Sequence, residues 1–118
     1  MSPAIVRVIL YVKDIKKVAS FYQRHFDMRQ HGVSTVCWLE ISSIDGGCTI
    51  ALHQAAKSQR SGAAVKIVFG VRDIGAFKAK CAIDGLEFGP THVAEGFEFA
   101  NAKDPAGNSI SISSRGLR

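Results

Sequence analysis

Four histidines, three cysteines and ten acidic residues are the side chains of this chain that could carry metal, acid–base or nucleophilic chemistry. Imidazole and carboxylate suit several transition metals, so His53 and His92 with Glu40 or Glu98 are a conceivable metal set. No spacing motif ties these residues together. His25 and His31 flank the end of a predicted helix and are expected at the surface, where a cation suits a helix C-terminus. Cys37, Cys48 and Cys81 are widely spaced, with no CxxC pair. That argues against a disulfide framework and a structural zinc site, and fits a reducing cytoplasm. They read as half-buried small hydrophobes rather than reactive thiols.

A chain of 118 residues is long enough for one domain with a real core. Its 47% hydrophobic and 21% charged residues are ordinary for a soluble globular protein. The N-terminal apolar run breaks at Arg7, so neither a signal peptide nor a membrane span is read there. A net charge of +5 permits an acidic partner. The basic residues are scattered singly and in pairs, and no helix-turn-helix, zinc-finger or RNP-type pattern accompanies them, so no nucleic-acid partner is expected.

The elements that must position these side chains are announced by an internal repeat. RVILYVKDIKKVASFY (7–22) aligns without gaps on KIVFGVRDIGAFKAKC (66–81), an offset of 59 residues, half the chain. Val12, Asp14 and Ile15 meet Val71, Asp73 and Ile74. Further on, DGGCTIAL (45–52) is echoed by DPAGNSISI (104–112), with one inserted residue. Arg7 and Lys66 therefore hold equivalent places at the start of the two repeats.

Residues 5–12 alternate and are β-branched, which predicts a strand. Asp14 is then an N-cap, and Ile15, Val18, Ala19, Tyr22 and Phe26 recur at helical spacing to an end near Asp27. A strand over 35–42, a turn at 44–47 and a strand over 48–54 follow, the Asp-Gly-Gly tip being a hairpin signal. The second half repeats the order, with a strand over 65–71, a helix after Asp73, and strands on either side of the DPAGN turn. Residues 55–63, small and polar, read as a linker. The expected fold is α+β: two tandem βαβββ modules of about 1–56 and 62–118 within one domain.

An apolar strand, V-x-D, and an amphipathic helix bearing F-Y, followed late in the chain by D-P-x-G-N-x-I-x-I, resembles the vicinal oxygen chelate superfamily. That group contains glyoxalase I, bleomycin- and fosfomycin-resistance proteins and extradiol dioxygenases. The resemblance spans nearly the whole chain. It implies paired modules whose sheets curve around a cleft, dimerisation to complete it, and, in metal-using members, His, Glu or Gln ligands at two positions per module. Carried over, those positions fall on Arg7, Ala51, Lys66 and Ser111. Arginine has only donors, lysine would have to lose its proton, and alanine offers nothing. No cofactor is expected on this ground, a displaced divalent metal being the alternative.

Two cations at lost ligand positions could instead grip a carboxylate, phosphate or enolate-like ligand, Arg7 by a bidentate contact and Lys66 as a point charge. The alternative is that both reach solvent or form salt bridges, with Glu40 and Glu98 available to neutralise them. His53 lies two residues past Ala51 and so shares its face of the strand. Tyr11, Trp38, Phe97 and Phe99 are the aromatic candidates for an apolar cleft. The expected function is that of a cytoplasmic homodimer binding a small molecule without metal, through Arg7, Lys66, Trp38, Tyr11, Ala51, Ser111 and Glu98. The alternative is an enzyme of the same superfamily (lyase, isomerase or dioxygenase) with a displaced metal, or with His53 as base and Glu98 orienting it. A third reading is a regulatory or assembly module with a vestigial cleft.

Overall fold

A computed structural model describes residues 7–57, 65–115 and 117. The chain divides into two compact units between Ser61 and Gly62. Of the expected linker, 58–63 lies outside the described residues. The first unit runs β1 (Arg7–Val12), α1 (Ile15–Phe26), β2 (Arg29–Thr35), β3 (Trp38–Ser42) and β4 (Thr49–Gln54). Its sheet has the order β1-β4-β3-β2, with β1 parallel to β4 and the other pairs antiparallel. The second unit repeats this with β5 (Lys66–Gly70), α2 (Ile74–Ile83), β6 (His92–Ala94), β7 (Phe97–Lys103) and β8 (Ser109–Ser113), in the order β5-β8-β7-β6. Two α+β modules of the expected kind are thus present.

Both helices start where the repeat places an aspartate. Asp14 Oδ1 accepts from the Lys17 N–H at 3.1 Å, and Asp73 Oδ1 accepts from the Ala76 N–H at 3.0 Å. Each satisfies a backbone donor that has no partner within the first helical turn. α1 buries Ile15, Val18, Ala19, Tyr22 and His25 as one stripe. His25 is therefore not the surface residue expected: it continues the stripe one turn beyond Tyr22, with its ring 4.9 Å from Phe21. In the first unit Leu10, Val12, Ile41, Ile50 and Leu52 complete the core. Ile74, Cys81, Leu86, Phe88, Ala100, Ile110 and Ile112 form that of the second.

Three other expectations need correction. The strand placed over 35–42 is the end of one strand and the whole of another: Thr35 closes β2, Trp38 opens β3, and Val36 and Cys37 make the turn. β2, RQHGVST, is exposed along its whole length, and His31 lies within it rather than at the helix end. The cysteines are not alike, since Cys37 and Cys48 are exposed whereas Cys81 is buried. Burial pushes the Cys81 thiol up, which keeps it protonated and unreactive.

The turn between β7 and β8 is organised by one buried carboxylate. Asp104 Oδ1 accepts from the backbone N–H groups of Ala106 and Asn108 at 2.9 and 2.8 Å, and its Oδ2 accepts from Asn108 Nδ2 at 2.9 Å. Gly107, at φ 86°, supplies the left-handed residue that closes the turn. Asp45, its counterpart in the first repeat, is exposed. Removing Asp104 strands several buried donors, so Asp104→Ala is expected to cost roughly 2–4 kcal/mol, and Asp45→Ala less than about 0.5 kcal/mol. Urea denaturation of the two variants checks the difference.

Candidate functional site

Strand alternation gives each sheet one face closed by the core and one left open. In β1, Leu10 and Val12 are buried, while Arg7, Ile9 and Tyr11 stand exposed on the other side. Strand register then fixes their neighbours. Thr49, Ala51 and His53 of β4 pair with Arg7, Ile9 and Tyr11. Across β4, Glu40 of β3 pairs with Ala51 and Trp38 with His53. His31 of β2 lies opposite Glu40. The open face of the first unit thus gathers Arg7, Tyr11, Trp38, Glu40, Ala51 and His53.

Two groups divide this face. At one end Arg7 Nε donates to Glu40 Oε1 at 2.7 Å, forming an ion pair that reaches across β4. The Arg7 guanidinium holds the Glu40 carboxyl below its ordinary value, with a smaller contribution from the Trp38 indole N–H. At the other end the His53 ring lies between Tyr11, with centroids 5.2 Å apart, and Trp38, edge-on at 5.7 Å. His53 Nδ1 is 2.9 Å from the carbonyl oxygen of Gln54. Trp38 is the only tryptophan of the chain.

The second unit repeats the plan with different side chains. Lys66 and Val68 occupy the open face of β5, Ser109, Ser111 and Ser113 that of β8, and Phe99 and Asn101 that of β7. Lys66 Nζ donates to Asn101 Oδ1 at 3.3 Å, crossing β8 as Arg7 crosses β4. The residue crossed is small in both units: Ala51, fully buried, and Ser111, buried with its hydroxyl donating to the Ala100 carbonyl at 3.1 Å. A long side chain at either position would stand between the partners. The lysine–asparagine contact is weaker than the ion pair, because its acceptor is neutral. His92 of β6 stacks on Phe99 at 4.9 Å, Phe97 lies 6.1 Å from Phe99, and Arg115 sits 5.3 Å over Phe97. Where the first unit has Tyr11, the second has Gly70 with the Leu117 side chain packed over it.

The first open face thus brings together Arg7, Tyr11, Trp38, Ala51 and His53, and the second Lys66 and Ser111. Glu98 falls elsewhere: it alternates with Phe97, Phe99 and Asn101 along β7 and pairs with Val93, on the side of the sheet to which Ala100 belongs. The group that orients His53 is the Gln54 carbonyl rather than a carboxylate. Among the described residues no group of three or more His, Cys, Asp or Glu side chains converges as a metal site would require. The four positions Arg7, Ala51, Lys66 and Ser111 do not fit a divalent cation, since two are cationic and the small ones offer at most a hydroxyl already donated to backbone. The sequence offers Glu40 as a neutralising charge or as a member of a displaced metal set; its position beside Ala51 follows from the register alone.

A family model for the Glyoxalase/Bleomycin resistance protein/Dioxygenase superfamily matches residues 4–112. No curated protein sequence matches the chain. Among solved structures, TnmS3, an antibiotic binding protein from Streptomyces sp. CB03234, superposes with a TM-score of 0.80 at 19% identity, covering 95% of this chain and 96% of its own. Lactoylglutathione lyase from Agrobacterium tumefaciens gives 0.75 at 20% identity, covering 95% and 93%. A superfamily member from Sphaerobacter thermophilus DSM 20745 gives 0.79 at 16%, covering 95% and 97%. At such identities the likeness is one of fold.

The ion pair has a pH signature. A carboxyl depressed on folding contributes stability above the ordinary carboxylate range, and that contribution is lost as pH falls through the lowered folded value. Arg7→Ala is therefore expected to return Glu40 toward its ordinary pKa, seen by NMR titration of the side-chain carboxyl. The stability difference between wild type and variant should shrink as the pH is lowered.

Proposed function

The chain belongs to the Glyoxalase/Bleomycin resistance protein/Dioxygenase superfamily, and from that membership we propose a metal-independent protein that binds a small, flat organic molecule. The observation that carries this reading is the pair of cross-strand contacts, Arg7–Glu40 and Lys66–Asn101, at the positions where metal-using members place ligands. Beside the first of them, Tyr11, His53 and Trp38 offer an aromatic surface on which such a ligand can stack. Because Glu40 neutralises Arg7, the aromatic character of the ligand is favoured over a net negative charge. The likeness to an antibiotic binding protein supports binding without turnover.

The protein acts in this reading as a cytoplasmic homodimer. Three free cysteines are consistent with a reducing compartment. The exposure of Ile9, Tyr11 and Val68 supports a covered rather than a solvent-facing sheet surface. Among the described residues no helix is long and apolar enough to cross a membrane. The likeness to a lactoylglutathione lyase keeps catalysis as the second reading. In it His53 Nε2 would act as base, its ring fixed through Nδ1.

Trp38 makes the reading testable by intrinsic fluorescence. Chelator-treated protein is expected to show saturable quenching by members of an aromatic panel, and Tyr11→Ala to weaken binding about three- to tenfold. Loss of all binding on chelation, with recovery on adding a divalent metal, would contradict it.

A further inference from the structure

We infer that His53 is a specificity-determining residue whose Nε2 accepts a hydrogen bond from the ligand, so that the ligand is an aromatic ring bearing a neutral donor, a hydroxyl or ring N–H. The inference rests on the proposed binding function and deepens it. Its ground is the contact between His53 Nδ1 and the Gln54 carbonyl at 2.9 Å. A carbonyl oxygen only accepts, so in the neutral imidazole Nδ1 carries the proton and Nε2 presents its lone pair. The ring cannot easily turn to exchange these roles, because Tyr11 and Trp38 hold it on two sides.

The remaining polar groups of this face point the same way. Arg7 Nε is engaged by Glu40, and the Trp38 indole N–H favours that same carboxylate. Glu40 is kept ionised, so an anionic ligand set over the aromatic cluster would lie beside a negative charge. A ligand without a donor would leave the Nε2 lone pair covered and unmatched, which is the costly outcome in a desolvated contact. What the face selects is thus a neutral donor next to a ring, rather than charge.

Three probes with one ring system separate the possibilities: 2-naphthol, 2-methoxynaphthalene and 2-naphthoate, titrated calorimetrically into wild type, His53→Phe and Arg7→Ala. Long-range nitrogen NMR of the imidazole reports the tautomer directly. Wild type is expected to hold the Nδ1–H tautomer, to bind 2-naphthol about five- to tenfold tighter than the methyl ether, and to shift the Nε2 resonance on binding. His53→Phe, which keeps a ring between Tyr11 and Trp38, should bring the affinities for naphthol and ether to within about twofold of each other. Equal affinity for naphthol and ether, or an Nε2–H tautomer in the free protein, would overturn the role of His53 and leave the binding function standing. Preference for naphthoate that disappears in Arg7→Ala would overturn it in favour of anion selection. No binding of any of the three would overturn this inference together with the aromatic reading beneath it.

Discussion

The parallel pairing of β1 with β4, repeated by β5 with β8, is the constraint from which the rest follows. Parallel neighbours cannot be joined by a hairpin, so the chain must leave the sheet and return. In each unit it does so through a helix capped by an aspartate, and the remaining strands then fold back antiparallel. The helix buries the face formed by Leu10, Val12, Ile50 and Leu52 in the first unit, with Ile110 and Ile112 buried in the second. The residues between them along each strand are left on an open face. That face carries the alternate set: Arg7, Tyr11, Ala51 and His53 in the first unit, Lys66 and Ser111 in the second.

On those faces the two repeats have kept one feature and diverged in another. A cation from the first strand reaches an acceptor two strands away, over a small residue on the strand between, in both units. In the first unit the acceptor is a carboxylate that neutralises the cation, whereas in the second it is a neutral amide. Alanine and serine matter here for what they leave out, because a longer side chain would separate cation from acceptor. The aromatic ends differ. The first unit supplies Tyr11, His53 and Trp38, whereas the second supplies Phe97, Phe99 and His92, with Leu117 over Gly70. Duplication preserved the frame, and divergence lies in the side chains of the open faces.

The frame was legible because its signals are local. Asp14 and Asp73 mark helix starts, Val and Ile alternate in the strands, and DPAGN closes a turn around Asp104. Equal offsets between the two halves made each reading support the other. β2 was not legible, since RQHGVST has no alternating apolar residues and owes its strand conformation to pairing with β3. His25 was misplaced although its helical spacing from Val18 and Tyr22 was available, because a cation at a helix end was the stronger local expectation. The candidate site was legible as parity: His53 does share a face with Ala51. What the sequence could not provide was register. Only register sets Glu40 beside Ala51 within reach of Arg7, and His53 between Tyr11 and Trp38.

Elemental analysis of untagged protein tests most directly whether the cross-strand contacts stand in place of a metal. The protein is purified without chelator, challenged in turn with manganese, iron, nickel and zinc, and dialysed. The expected result is no stoichiometric metal from any challenge. One equivalent of a divalent metal surviving dialysis, and lost from a His53→Phe or Glu40→Gln variant, would contradict the account and place a displaced metal site on the open face.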